Sequence, residues 1–315
     1  MLRLTEQLFV VLCFTQFLLG LLANGFIWWV KGRSWLASRG GSVSDFLIAS
    51  LGLSRIVLLG VLQVDGAFLT FSPKEHESGT VMKVIDLVWT FANQLNVWLA
   101  TCLGVFYCLK IASFSHRTFL WLKWRVSRVV VYMLLGALLL SCSSTVSLIR
   151  EFKVHSAYSG INDTGDTVEY VRKRSLYKMV HVVGTLWYLP PLLVALAAYV
   201  LLILSLGRHS RHMQQRGAGS RDPSAEAHRR AIRIIFSFFV LFLFYFLAFL
   251  IASSSYFFPE TKVVLMTGET ITMLYLTGHS FILILGNVRL RQAFVRLLGC
   301  ETRCLKPAPR TSVPP

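Results

Sequence analysis

Charge is scarce in this chain, and acidic charge scarcer still. Of its 315 residues only 15% are charged, and Lys and Arg outnumber Asp and Glu by 32 to 15. An ordinary soluble domain carries about 25% charged residues. The polar surface of a water-soluble enzyme of this length is therefore missing. Disorder is excluded too, because 55% of the residues are hydrophobic and disordered chains are apolar-poor. HExxH, GxSxG, P-loop and paired-cysteine motifs are absent from the sequence, so no catalytic grouping stands out and an enzyme is not expected. The eight His are scattered, and neither a metal nor a cofactor is expected. Cys13, Cys102, Cys108 and Cys142 fall within apolar runs and read as small packing residues. No disulfide framework is available between them.

Long apolar runs are what the sequence does contain. A membrane-crossing helix needs about 20 mainly apolar residues. Seven runs qualify, at residues 8–30, 43–64, 81–112, 126–149, 180–206, 234–255 and 263–285. They are too long and too uniformly apolar for the alternating strands of a membrane barrel. The expected fold is an all-α seven-helix transmembrane bundle forming a single domain over residues 1–315, with a short basic tail from 286. The first run exceeds the usual apolar core of a signal peptide and is preceded only by Arg3, so an uncleaved first helix is expected rather than a cleaved signal peptide.

The net charge of +17 raises the question of nucleic acid, lipid or topology. Its distribution answers. The connections after runs one, three and five, together with the tail, hold 21 Lys and Arg but only Asp222, Glu226 and Glu301. The other side holds ten basic and nine acidic residues. Positive charge marks the cytoplasmic side, which puts the N-terminus outside and the tail inside. Asn162-Asp163-Thr164, a glycosylation acceptor, then falls outside. Cys300 and Cys304 fall inside, as candidates for palmitoylation or as idle thiols. The basic loop over 207–230 carries no interleaved aromatic residue, so nucleic acid is not expected. Anionic lipid or a cytosolic partner suits it better. Residues 289–297 pattern as a short amphipathic helix on the membrane surface.

Polar groups within hydrocarbon are costly, and each is a functional candidate. Arg55 lies in the middle of run two and needs partners. Asn24 in run one and His279-Ser280 in run seven are the candidate neighbours, forming an interhelical lock that rearranges if the bundle switches. In run three, Asp86, Trp89, Asn93 and Val97 recur every three or four residues and share one helical face. A carboxylate, an indole and an amide on a descending face suit a small-molecule site. Two plainer roles also fit: an interfacial anchor for Trp89, and a pair with Lys83 for Asp86. Glu269 lies in the outer third of run seven, where it or Asp86 could meet a cationic ligand. Tyr245 lies in a run that is aromatic on all sides, so periodicity does not assign its face.

Local strings go further. ATCLGVFYCLKIASFSHRTFLWLKWR at 100–125, LLILSLGRHSRHMQ at 201–214, GSRDPSAEAHRRAIR at 219–233 and GHSFILILGNVRLRQ at 278–292 strongly resemble the type 2 taste receptors, the bitter receptors. The resemblance covers essentially the whole chain, with ANGFI and SLGLSR fitting the same pattern. It implies a G-protein-coupled receptor with a pocket for small bitter compounds in its outer half. By motif position it implies Trp89, Asn93, Tyr245 and Glu269 as pocket residues. It also implies that Tyr107 and Lys110 help to couple a heterotrimeric G protein of the gustducin type. Arg55 stands where many rhodopsin-like receptors carry an acidic sodium ligand, which argues against sodium there. Arg117 and Leu276 depart from positions where the family commonly has Pro. A transporter or channel using Arg55, Asp86 and Glu269 is the alternative, weakened by the odd helix count and the lack of an evident repeat.

Overall fold

The computed structural model describes residues 3–38, 41–73, 76, 80–112, 114, 116–159, 186–215, 223–253 and 261–299. Among these there are helices and no strands. They are α1 (Leu4–Ala37), α2 (Val43–Phe71), α3 (Thr80–Ile111), α4 (Arg117–Trp124), α5 (Val126–Ser159), α6 (Leu189–Gln215), α7 (Pro223–Ser253), α8 (Thr261–Gly286) and α9 (Val288–Leu297). Seven of them are long and apolar enough to cross a membrane: α1, α2, α3, α5, α6, α7 and α8. Each of the seven runs meets one such helix, although the start of run five and the end of run six lie outside the described residues.

Large apolar side chains cover the outside, as in lipid they must. Leu22, Leu139 and Phe244 are examples, all more than half exposed. Inside, the helices close a ring: α1 packs on α2 and α8, α2 on α3, α3 on α6, α6 on α7, and α7 on α8, with α5 set against α3. Small residues permit the closest approach. A methyl group on Gly20 of α1 would stand 2.6 Å from Leu59 of α2 and 2.7 Å from Thr277 of α8. The aromatic run of α7 also resolves into faces. Phe238, Phe242, Tyr245 and Phe249 are buried at helical spacing, while Phe236, Phe244 and Leu247 point outward.

Two short helices lie at the ends of the long ones. α4 begins at Arg117 after His116 and is separated from α5 by Arg125 alone. α9 starts from Asn287, whose side chain accepts the amide of Leu290, an N-cap that satisfies an otherwise orphaned donor.

Candidate functional site

The descending face of α3 goes from half-buried to fully buried. Asp86 and Trp89 are partly exposed, and Asn93 is wholly enclosed. The Asn93 amide is held from two sides. Tyr245 of α7 donates its hydroxyl to Asn93 Oδ1 at 2.7 Å. Asn93 Nδ2 donates in turn to the hydroxyl of Tyr188, just before α6, at 3.3 Å. Above this triad the rings form a wall. Trp89 stacks on Phe249 at 6.4 Å, and Tyr188 lies 4.3 Å from the same ring. α3 and α7 do not pack closely here; long side chains bridge them. The start of α6 is clipped to α3 where Gln94 Nε2 donates to the Trp187 carbonyl at 2.9 Å. An amide flanked by hydroxyls and enclosed by aromatic rings is a set of placed polar groups within apolar walls, as small-molecule sites require.

Below lies a second polar layer. Tyr245 stacks on Tyr275 of α8, with centroids 4.5 Å apart. The Tyr275 ring faces the Arg55 guanidinium, whose carbon lies 5.8 Å from its centroid. Arg55 is fully buried on α2. Its Nη1 donates to Ser280 Oγ at 3.1 Å, and its Nε donates to Asn96 Oδ1 of α3 at 3.3 Å. The Ser280 hydroxyl lies within donating distance of Asn24 Oδ1 on α1 at 2.7 Å and of its own helix at Leu276 O. His279 stacks on Phe238 of α7 at 4.3 Å and meets the edge of Tyr275. The structure therefore brings Asn24, Arg55, His279 and Ser280 into one neighbourhood.

Glu269 is placed differently from Asn93. Its carboxyl lies against Asp65 of α2, and Asp65 is paired with His76 at 3.1 Å. A methyl group on Gly66 would come within 2.9 Å of Glu269 Oε2. The partners of Glu269 thus sit on the α2 side of the bundle, whereas Trp89, Asn93 and Tyr245 meet between α3 and α7. Asn162, Cys300 and Cys304 lie outside the described residues.

Several members of these layers carried no separate signal in the sequence. Tyr188, Tyr275, Asn96 and Asp65 were visible as residues but not as partners. Tyr275 stands four residues before His279, a spacing that puts both on one helical side. That spacing was the available clue.

Comparison with known proteins decides the family. The profile of the family described as Taste receptor protein (TAS2R) matches residues 1–302. The chain belongs to the taste receptor family. It is 62% identical over 305 residues to Taste receptor type 2 member 3 of Papio hamadryas, covering 96% of this chain and 97% of that protein. Against the Homo sapiens protein of the same name it is 61% identical over 308 residues, with 98% of each covered. Against that of Mus musculus it is 54% identical over 303 residues, with 96% of each covered. The fold is the seven-helix receptor bundle of a multi-pass membrane protein. Family members are receptors, not enzymes, and they bind ligands and couple to G proteins. The transporter reading loses its support.

The end of this taste receptor opposite the candidate pocket has its own polar fastening. Lys31 of α1 and Asp45 of α2 form a buried ion pair at 2.8 Å. Ser34 Oγ donates to the second Asp45 oxygen at 2.8 Å, and Arg289 of α9 lies 3.7 Å from it. Asp45 therefore belongs to a helix-end lock. Tyr107 is half-buried, with its hydroxyl against Asn287 at the start of α9. Lys110 is exposed, its ammonium 4.9 Å from the Phe106 ring. The two family departures are both accommodated. Arg117 is the first residue of α4, a position that also suits Pro. Leu276 is fully buried within the unbroken helix α8.

Proposed function

We propose that this chain is a bitter taste receptor that binds small bitter compounds between α3, α6 and α7 and activates a gustducin-type heterotrimeric G protein. The observation that carries this reading is the Asn93 amide, held between the hydroxyls of Tyr188 and Tyr245 beneath a wall of aromatic rings. A ligand with one polar group would compete for those hydrogen bonds and shift three helices against one another. Trp89 supplies the wall, Tyr245 the floor, and Asp86 stands nearer the mouth. Glu269 acts from the α2 side, through Asp65, in shaping the outer end of the bundle. Binding signals only if it favours one arrangement of the helices over another. The layer from Tyr245 through Tyr275 to Arg55 is the route by which the pocket would bias that choice.

In this reading the receptor lies in the plasma membrane with its N-terminus outside and its tail in the cytoplasm. Asn162 carries the glycan. Tyr107, Lys110 and the basic inner loops meet the G protein, and the same positive surface meets anionic lipid. Cys300 and Cys304 are palmitoylated.

The test is expression with a chimeric G protein and a panel of bitter compounds, with intracellular calcium as the readout. A compound response that disappears without the G protein supports the reading. A compound-driven current or uptake that persists without any G protein overturns it.

A further inference from the structure

We propose that the receptor holds a small monovalent anion, chloride in physiological salt, beside Arg55 at the centre of the bundle. The argument is one of charge and unfilled donors. Arg55 is fully buried, and no carboxylate among the described residues pairs with it. The described acids nearest in kind are committed elsewhere: Asp45 to Lys31, Asp65 to His76, and Glu6 to Lys262. A guanidinium is charged at any physiological pH. An uncompensated charge in a low-dielectric interior is strongly disfavoured.

The neighbours of Arg55 supply hydrogen-bond acceptors but no negative charge. Nε and Nη1 reach Asn96 and Ser280, while Nη2 is buried with nothing to donate to. The amide nitrogen of Asn96, on the very group that accepts from Nε, is also buried without an acceptor. The Tyr275 hydroxyl lies against the Arg55 guanidinium, and His279 Nδ1 is buried without a hydrogen-bond partner. The unfilled groups lie on α2, α3 and α8, and each is either a donor or an imidazole able to serve as one. Tyr275 offers the guanidinium its ring, 5.8 Å from the guanidinium carbon, and its hydroxyl, but no negative charge. A water would fill one donor and leave the charge. One chloride does both, and its single charge matches that of Arg55.

The test uses the full-length receptor, purified in detergent and dialysed into chloride, bromide or gluconate at equal ionic strength. At about ten times its Kd, a bound anion raises Tm by about 2 °C for a chain of this size. Chloride and bromide are expected to give this saturable rise over gluconate. Asn96→Asp places a carboxylate beside Nε and is expected to raise Tm in gluconate and abolish the halide effect. A bromide-soaked crystal should show anomalous density within about 3.5 Å of Arg55 Nη2. Equal Tm in chloride and gluconate overturns the proposal. So does an undiminished halide effect in Asn96→Asp, which would mark a general salt effect. If that variant fails to fold, bromide density decides: its absence at Arg55 overturns the site.

Discussion

Tyr245 joins the two polar layers of the receptor. Its hydroxyl donates to Asn93 at 2.7 Å, and its ring stacks on Tyr275 at 4.5 Å. Removing the hydroxyl while keeping the ring separates the two contacts. Tyr245→Phe leaves Asn93 Oδ1 buried without its donor, at a cost of about 1–3 kcal/mol. Agonist potency is expected to fall by about tenfold, with surface expression close to that of the parent. Calcium dose–response curves normalised to surface receptor check this.

The buried pair of Lys31 and Asp45 predicts a stability effect far from the candidate pocket. Lys31→Met leaves the Asp45 carboxylate enclosed without its main cation, and breaking such a pair costs about 3–5 kcal/mol. Thermal stability and surface expression should both fall. Asp45→Asn combined with Lys31→Met should recover most of the loss, because no uncompensated charge remains. Thermal unfolding of the purified parent and the two variants measures this.

Gly66 predicts a steric effect on Glu269. A methyl group there would stand 2.9 Å from Glu269 Oε2 and 3.0 Å from the Phe9 ring. Gly66→Ala should force the Glu269 side chain or α1 to shift, with a destabilisation of about 1–3 kcal/mol. Gly60, where a methyl group meets nothing within 4 Å, is the control. Gly60→Ala should be neutral or slightly stabilising in the same unfolding assay.

Leu276 predicts a change in helix shape. Pro at this position would remove the residue's backbone donor and clash with the carbonyl four residues earlier, kinking α8. The kink would fall one turn before Ser280, which now binds Arg55 and Asn24. Leu276→Pro should therefore alter constitutive signalling. An unchanged basal calcium or G-protein readout, at equal surface expression, would count against a switching role for this layer.

The bundle was legible because hydrocarbon imposes a simple rule on sequence. Long apolar runs and their flanking charges gave the number of helices and the expected orientation. The shared face of Trp89 and Asn93 was legible from helical spacing alone. The partners of that face were not. Tyr245 lies in a run aromatic on every side, so only packing against α3 and α8 reveals which way it points. Tyr188 sits at a helix start, where periodicity is silent. Nothing in the sequence pairs Asp45 with Lys31, which stand fourteen positions apart and which the α1–α2 turn brings to 2.8 Å. Glu269 showed the opposite difficulty. Its depth in α8 was readable, but the choice between an α2 neighbour and an α3 neighbour depends on how α8 is rotated within the ring.

The central claim is that agonist is held at Asn93, between α3, α6 and α7. Equilibrium binding of a labelled agonist to purified parent receptor and to Asn93→Ala tests it most directly. Loss of a buried amide contact should weaken binding by about tenfold or more, with unfolding temperature showing that the variant is folded. An unchanged Kd for a well-folded Asn93→Ala receptor would contradict the account.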